Sequence, residues 1–129
     1  MNPDQLKYTK DHEYIGDAGD GTYVVGISDH AQEQLGDVTF VELPDVGATF
    51  AQGDEAATVE SVKAASDVYA PIGGTVAEVN DALEDQPELV NSSPYENGWF
   101  FKLKDIDAAQ LDALMDAEAY AKHAEADTH

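Results

Sequence analysis

Two strand-like runs meeting at a single lysine constrain this chain more than any other feature. Ala56-Ala57-Thr58-Val59-Glu60-Ser61-Val62 reads as one strand, and Ser66-Asp67-Val68-Tyr69-Ala70 as a second, stopped by Pro71. Lys63 then lies at the tip of a tight strand–turn–strand. The tip has no Asn-Gly, Asp-Gly or Gly-Gly pair, which a two-residue hairpin prefers. A local rule broken at an exposed tip marks a place where function competes with folding. The chain has six basic residues, all lysine, against 27 acidic ones, so a cation at that tip needs a reason. From spacing alone the plainer reading is a solubilising surface lysine.

The rest of the chain is organised around that hairpin. Residues 6–16 and 22–27 read as strands joined by the turn-rich Gly16-Asp17-Ala18-Gly19-Asp20-Gly21. Ser28 or Asp29 can cap a short helix through Leu35, which Gly36 ends. Residues 38–43 alternate in apolar character and read as a strand closed by Pro44-Asp45. Val46–Phe50 can be laid on Val79–Leu83 at an offset of 33 residues, each copy after a strand-like run and before another apolar run. That echo suggests two similar strand units flanking the hairpin in a flattened barrel. Asn97-Gly98 marks a turn before the strand Trp99–Leu103. Asp107 can cap a final helix, with Gln110 at the capping-box position. Ile106, Leu111, Leu114, Met115 and Tyr120 fall on or near one face of that helix. Residues 124–129 read as a frayed end.

Composition narrows the setting. The chain of 129 residues suits one domain with a modest core, and 43% hydrophobic content excludes a disordered tail. The formal net charge of −21 makes nucleic acid and anionic membranes unfavourable partners. Self-repulsion on that scale weakens a compact fold in dilute salt and is screened in concentrated salt. A salt-loving cytoplasm is therefore expected, beside the reading that the charge meets basic partners. No cysteine is present, which excludes disulfides and cysteine-ligated metal. Met1–Gln5 lacks the basic and apolar stretches of a signal peptide, and no apolar run reaches membrane-spanning length.

Several segments in order carry a resemblance to a known family. They are Tyr8-Thr9-Lys10-Asp11-His12-Glu13-Tyr14, Val25 to Val38 with Ser28-Asp29-His30-Ala31-Gln32-Glu33, Phe40-Val41-Glu42-Leu43-Pro44-Asp45-Val46-Gly47, Glu60 to Asp67, Asn91-Ser92-Ser93-Pro94-Tyr95 and Gly98-Trp99. Together they resemble the glycine cleavage system H proteins. The resemblance implies a mainly β fold with short helices, a barrel-sandwich hybrid with an N-terminal extension and a C-terminal helix. It implies one lipoyl-carrier domain over 1–129, a lipoyl hairpin over about 56–70 and a C-terminal helix over about 107–123. Tyr14 stands where many members have tryptophan, a change that should keep aromatic packing.

The same resemblance implies lipoic acid in amide linkage to Lys63, with Glu60, Ser61, Val62 and Asp67 marking the loop for a lipoylating enzyme. It implies a non-catalytic carrier that serves glycine decarboxylase, a folate-dependent aminomethyltransferase and dihydrolipoyl dehydrogenase. A relay of lipoyl groups to 2-oxoacid dehydrogenase complexes is an alternative. Absence of cysteine suits a dithiol cargo, since no neighbouring thiol can trap it. Glu13 and Asp67 are candidates to hold the cationic end of a loaded arm. A biotin hairpin fits less well, because Val62 and Ala64 flank the lysine where such hairpins carry methionine. A pure interaction module without cofactor is the remaining reading. His12, His30, His123 and His129 lack metal-site spacing. Ser28-Asp29-His30 holds triad residue types but reads as a helix start.

Overall fold

The computed structural model describes residues 3–126. In chain order these residues form β1 (Lys7–Tyr8), β2 (Glu13–Asp17), β3 (Tyr23–Ile27), α1 (Asp29–Leu35), β4 (Val38–Glu42), β5 (Thr49–Phe50), β6 (Glu55–Ser61), β7 (Ala65–Tyr69), β8 (Gly74–Val79), α2 (Ala82–Asp85), α3 (Leu89–Ser92), β9 (Phe101–Lys104), α4 (Ala108–Asp112) and α5 (Ala117–Ala126). Two antiparallel sheets result, one in the order β1-β2-β3-β9-β8-β5 and one in the order β4-β6-β7. The architecture is mainly β with short helices, as expected, although the two sheets do not close into a continuous barrel.

Period-two alternation explains how the sheets pack. Ile15, Val25, Ile27, Val76, Phe101 and Leu103 from the larger sheet meet Val38, Val41, Ala57, Val59 and Val68 from the smaller one in a single core. The intervening residues Tyr14 and Val24 join Leu6, Tyr8, Tyr120 and Ala124 in a second cluster. Strands β2 and β3 are therefore buried on both faces, against the smaller sheet and against α5 with the N-terminal segment. Tyr14 keeps the aromatic packing expected of it. It is fully buried, and its hydroxyl donates to the Pro94 carbonyl at 2.6 Å. Its paired residue is Gly26, where a Cβ would sit 2.6 Å from the Tyr14 hydroxyl, so the ring occupies the space that a side chain would take.

Several expectations need correction. The N-terminal strand over 6–16 is two strands, split by a turn in which the Thr9 carbonyl accepts from His12 N–H at 3.2 Å and His12 adopts a φ of 70°. The echo of Val46–Phe50 fails in its second copy. There β8 ends at Val79, and buried Asn80 donates from Nδ2 to the Asn97 and Trp99 carbonyls at 2.7 and 2.8 Å. The chain then turns into α2, and Leu89-Val90 is helical in α3. The helix over about 107–123 is two helices. Leu111 and Leu114 pack on the main core, whereas Met115 and Tyr120 belong to the second cluster. Backbone hydrogen bonds in both directions between Met115 and Tyr8, 2.8 and 3.0 Å, interrupt the helix. Asp116 restarts it by accepting from Ala119 N–H at 2.8 Å.

The end of this second helical stretch extends to Ala126, beyond the expected fraying point at 124, and residues 127–129 lie outside the described residues. Asp107 caps α4 as expected, accepting from Ala109 and Gln110 N–H. Gln110 does not complete a capping box. Its Oε1 accepts from Gly73 N–H at 2.7 Å, while Asp107 N–H donates to the Gly73 carbonyl at 3.1 Å, and this pair ties α4 to the start of β8.

Gly98 tests the packing at the turn before β9. A Cβ there would lie 2.5 Å from the Leu89 carbonyl oxygen, 2.9 Å from that of Ser93 and 2.9 Å from Val90 Cα. All three are backbone atoms, so no side chain can swing aside. Gly98→Ala should lower stability by about 2 kcal/mol, read as a lower urea midpoint at unchanged slope.

Candidate functional site

The hairpin tip solves its missing turn signal with a serine. Among the described residues only His12 and Asp105, apart from glycines, have positive φ, so the tip uses no left-handed residue. Instead Ser61 Oγ accepts from both Lys63 N–H and Ala64 N–H at 3.2 Å and donates to the Ala64 carbonyl at 3.1 Å. Ser61 N–H donates to the same carbonyl at 2.8 Å. The side chain thus performs the closure that the backbone of an Asn-Gly turn would perform. Lys63 is exposed, flanked by exposed Val62, Ala64 and Ala65. Glu60 is exposed on β6 and pairs with Ala65 across the hairpin.

A strap from the end of α1 to β4 holds this tip from outside. Val62 N–H donates to the Asp37 carbonyl at 3.0 Å. Gly36 ends α1 with φ 77° and ψ −159°, a region that only glycine readily occupies. The Lys63 stem lies over it: a Cβ on Gly36 would sit 3.2 Å from Lys63 Cε and 3.7 Å from Nζ. Asn91 on α3 fixes the strap. Its Oδ1 accepts from Val38 N–H at 2.8 Å, and its Nδ2 donates to the Gly36 carbonyl at 2.8 Å and to Gln32 Oε1 at 3.0 Å.

Beside the hairpin, a cavity of about 150 Å³ is lined by Glu13, Asp67, Ser66, Ala31, Gln34 and Leu35, among others. The structure therefore brings Glu13 and Asp67, 54 residues apart in the chain, to one cavity, and α1 forms part of its wall. Glu13 opens β2 and is 2% exposed. Burial pushes its carboxyl up to about 7, against the smaller opposing pull of hydrogen bonds from the Thr9 hydroxyl and Tyr69 N–H. Those bonds measure 2.6 Å to Oε1 and 3.3 Å to Oε2. Asp67 is exposed, and its hydrogen bond with Glu55 raises the Glu55 carboxyl above its ordinary range.

Thr9, Gly36 and Asn91 were not distinguishable as site residues in the sequence; only the capping glycine had a local signal. The histidines behave differently from their spacing. The rings of His12 and His30 lie 4.8 Å apart and those of His12 and His123 5.6 Å apart. Among the described residues, no group of three or more histidine, cysteine or carboxylate side chains is arranged to hold a metal. His12 Nδ1 instead lies 2.7 Å from the Tyr120 hydroxyl, which is 2.6 Å from Ser28 Oγ, so this group fastens α5 to the sheet. Ser28 also caps α1 by accepting from Ala31 N–H at 3.2 Å. His129 lies outside the described residues.

Burial of Glu13 has a consequence for stability. In the unfolded chain this carboxyl ionises near 4.5, whereas the native state keeps its proton up to about 7. Between those values the native state binds the proton that the unfolded state releases, so the contribution of Glu13 to stability falls as pH rises. The wild-type chain should lose about 3 kcal/mol relative to Glu13→Gln between pH 4 and pH 8. Urea unfolding of both proteins across that range measures the difference. Parallel pH profiles would contradict the assignment.

Comparisons with known proteins agree with this architecture. The family model for the glycine cleavage H-protein matches residues 6–127. The glycine cleavage system H protein of Citrobacter koseri is 61% identical over 118 residues, which are 92% of each chain. That of Escherichia coli O7:K1 is 60% identical over 118 residues, again 92% of each chain. The crystal structure of a glycine cleavage system H protein from Mycobacterium marinum superposes with a TM-score of 0.83 at 38% identity, covering 93% of this chain and 96% of that one. On these grounds the chain belongs to the glycine cleavage H-protein family.

Proposed function

We propose that this protein is the lipoyl carrier of a glycine cleavage system, with lipoate in amide linkage to Lys63. The observation that carries the reading is an exposed lysine on a hairpin whose backbone is held by Ser61 and by the Asp37 carbonyl, beside a cavity containing a buried carboxyl. When attached, lipoate supplies a dithiol–disulfide couple that accepts the aminomethyl group left by glycine decarboxylation. The protein itself performs no bond chemistry. Its residues present the amine, orient the arm and shelter its cargo.

Presentation belongs to the tip. Small Ala64 and Ala65 leave the approach to Nζ open, and Ser61 keeps the turn in one shape while three different enzymes are visited. Glycine decarboxylase, the aminomethyltransferase and dihydrolipoyl dehydrogenase are the partners in this reading. A lipoylating enzyme reads Glu60, Ser61, Val62 and Asp67. Shelter belongs to Glu13 and Asp67. An aminomethyl group is cationic at neutral pH, and a cation entering the cavity favours the ionised form of Glu13. The buried carboxylate and the ammonium then neutralise each other away from water. Lys63→Arg should keep the fold and abolish a lipoyl mass increment on peptide 60–67 in protein from native cells. An increment that persists at Lys7, Lys10, Lys102, Lys104 or Lys122 would refute Lys63 as the site.

The acidic surface points to a salt-rich cytoplasm, with basic faces on the partner enzymes. Among the described residues no helix is long and apolar enough to cross a membrane. At a net charge of −21, the melting temperature should climb as potassium chloride rises from dilute to molar concentrations. A flat melting temperature over that range argues against the salt-loving reading and leaves the carrier role standing.

A further inference from the structure

The Lys63 side chain rests against the end of α1. Its stem lies on Gly36, the last residue before the strap and the cap of α1. Helix α1 supplies Ala31, Gln34 and Leu35 to the wall of the cavity that contains Glu13. A stem resting on Gly36 therefore starts an arm at the end of the helix that forms one side of the cavity. Gly36 is suited to this in two ways. Its backbone conformation is closed to residues with a side chain, and a Cβ there would press on Lys63 Cε at 3.2 Å. Asn91 keeps Gly36 in place. All three of its side-chain hydrogen bonds go to the helix end and the strap, to Gln32, Gly36 and Val38, and none to a neighbour on its own helix.

We propose that Gly36 and Asn91 are positioning residues for the lysine arm: Asn91 fixes the strap, Gly36 seats the Lys63 stem, and the seat aims the arm along α1 into the cavity that holds Glu13. A long side chain held at its base loses fewer conformations when its far end docks. The seat thus favours docking without touching the cargo. This inference rests on the reading that Lys63 carries the arm and that Glu13 receives its loaded end.

The experiment has two readouts. In the unmodified protein with carbon-13 lysine, the six lysines give a spectrum simple enough to assign Lys63. A nuclear Overhauser contact between Lys63 Hε and Gly36 Hα is expected in the wild type and should vanish in Asn91→Ala. Absence of the contact in the wild type, or its survival in the variant, overturns the seat. The second readout uses lipoylated protein loaded with the aminomethyl group and follows ammonia release without the transferase. Asn91→Ala should release ammonia roughly twofold faster or more, the low end of coupling between neighbouring groups. Glu13→Gln should also release it faster. Combined with Glu13→Gln, Asn91→Ala should add nothing, because an aimed arm matters only while its receptor is present. General loosening of the fold would instead add to the Glu13→Gln effect, and that additivity overturns the proposal, as does release at the wild-type rate in Asn91→Ala. If Asn91→Ala does not fold, Asn91→Asp replaces it in both readouts, since it keeps the acceptor for Val38 N–H and removes both donors. Wild-type release as fast as from free aminomethyl-lipoamide is a separate result. It overturns the docking of the arm at Glu13, and the purpose of the seat with it.

Discussion

The hydrogen bond from Val62 N–H to the Asp37 carbonyl is the contact on which the functional end of the molecule depends. If Lys63 carries the arm, as proposed, it has to stand in solvent to be reached by large partners, where side-chain contacts hold it weakly. Its backbone can still be fixed. Ser61 closes the tip internally through two accepted N–H bonds, and the Asp37 carbonyl ties the tip to a second segment. The strap is in turn tied to α3 by Asn91, a residue 54 positions from Asp37 in sequence. These bonds use backbone atoms that the strand ladders and the end of α1 leave over, where β6 runs out at Ser61, β4 begins at Val38 and Gly36 caps the helix. A rigid base and an exposed end are thereby compatible in one turn.

The placement of Glu13 follows from burial of β2 on both faces. Tyr14 and Ile15 point to opposite clusters, so the strand can shift toward neither side without exposing one of them. Glu13 sits at the head of that strand, where the turn at 9–12 brings Thr9 back within 2.6 Å of its carboxyl. The same turn places His12 against Tyr120, so the fastening of α5 and the position of the carboxyl share one backbone feature. A buried acid with no cationic partner among the described residues is costly when ionised, and the raised pKa of Glu13 is the form that cost takes.

Much of this was legible in the sequence where local rules act alone. The strand-like runs on either side of Lys63, the second ended by Pro71, specified the hairpin, and Ser28 with Gly36 bracketed α1 correctly. Glu13 and Asp67 were singled out through the family-like segments, and not through their own chemistry; among 27 acids neither carries a local mark. What escaped depends on contacts between distant segments. Gln110 stands at a capping-box position yet bonds Gly73, because β8 begins beside α4. The break at Met115 follows from pairing with Tyr8, more than a hundred residues away, and no periodicity in the helix itself records it. Asn91 belongs to a short motif whose role depends entirely on where the end of α1 lies.

On the carrier reading proposed for this chain, two kinds of electrostatics act on a cationic cargo, and they differ in range and in selectivity. The net charge of −21 attracts any cation, but at physiological ionic strength its reach is about 8 Å and in molar salt about 3 Å. It cannot distinguish the end of an arm from a potassium ion. A buried carboxyl is shielded from that screening and is reached only by a group that fits the cavity. Glu13 also has a threshold that surface acids lack: burial favours its neutral form, and ionisation is favoured when a positive charge arrives. An empty cavity thus holds an acid that keeps its proton up to about pH 7 and, while protonated, does not compete for salt cations. A docked ammonium converts it to the partner that the ammonium needs. On that reading, selectivity for the loaded arm resides in one desolvated group, and the surrounding acidic surface is left for contacts with partner enzymes.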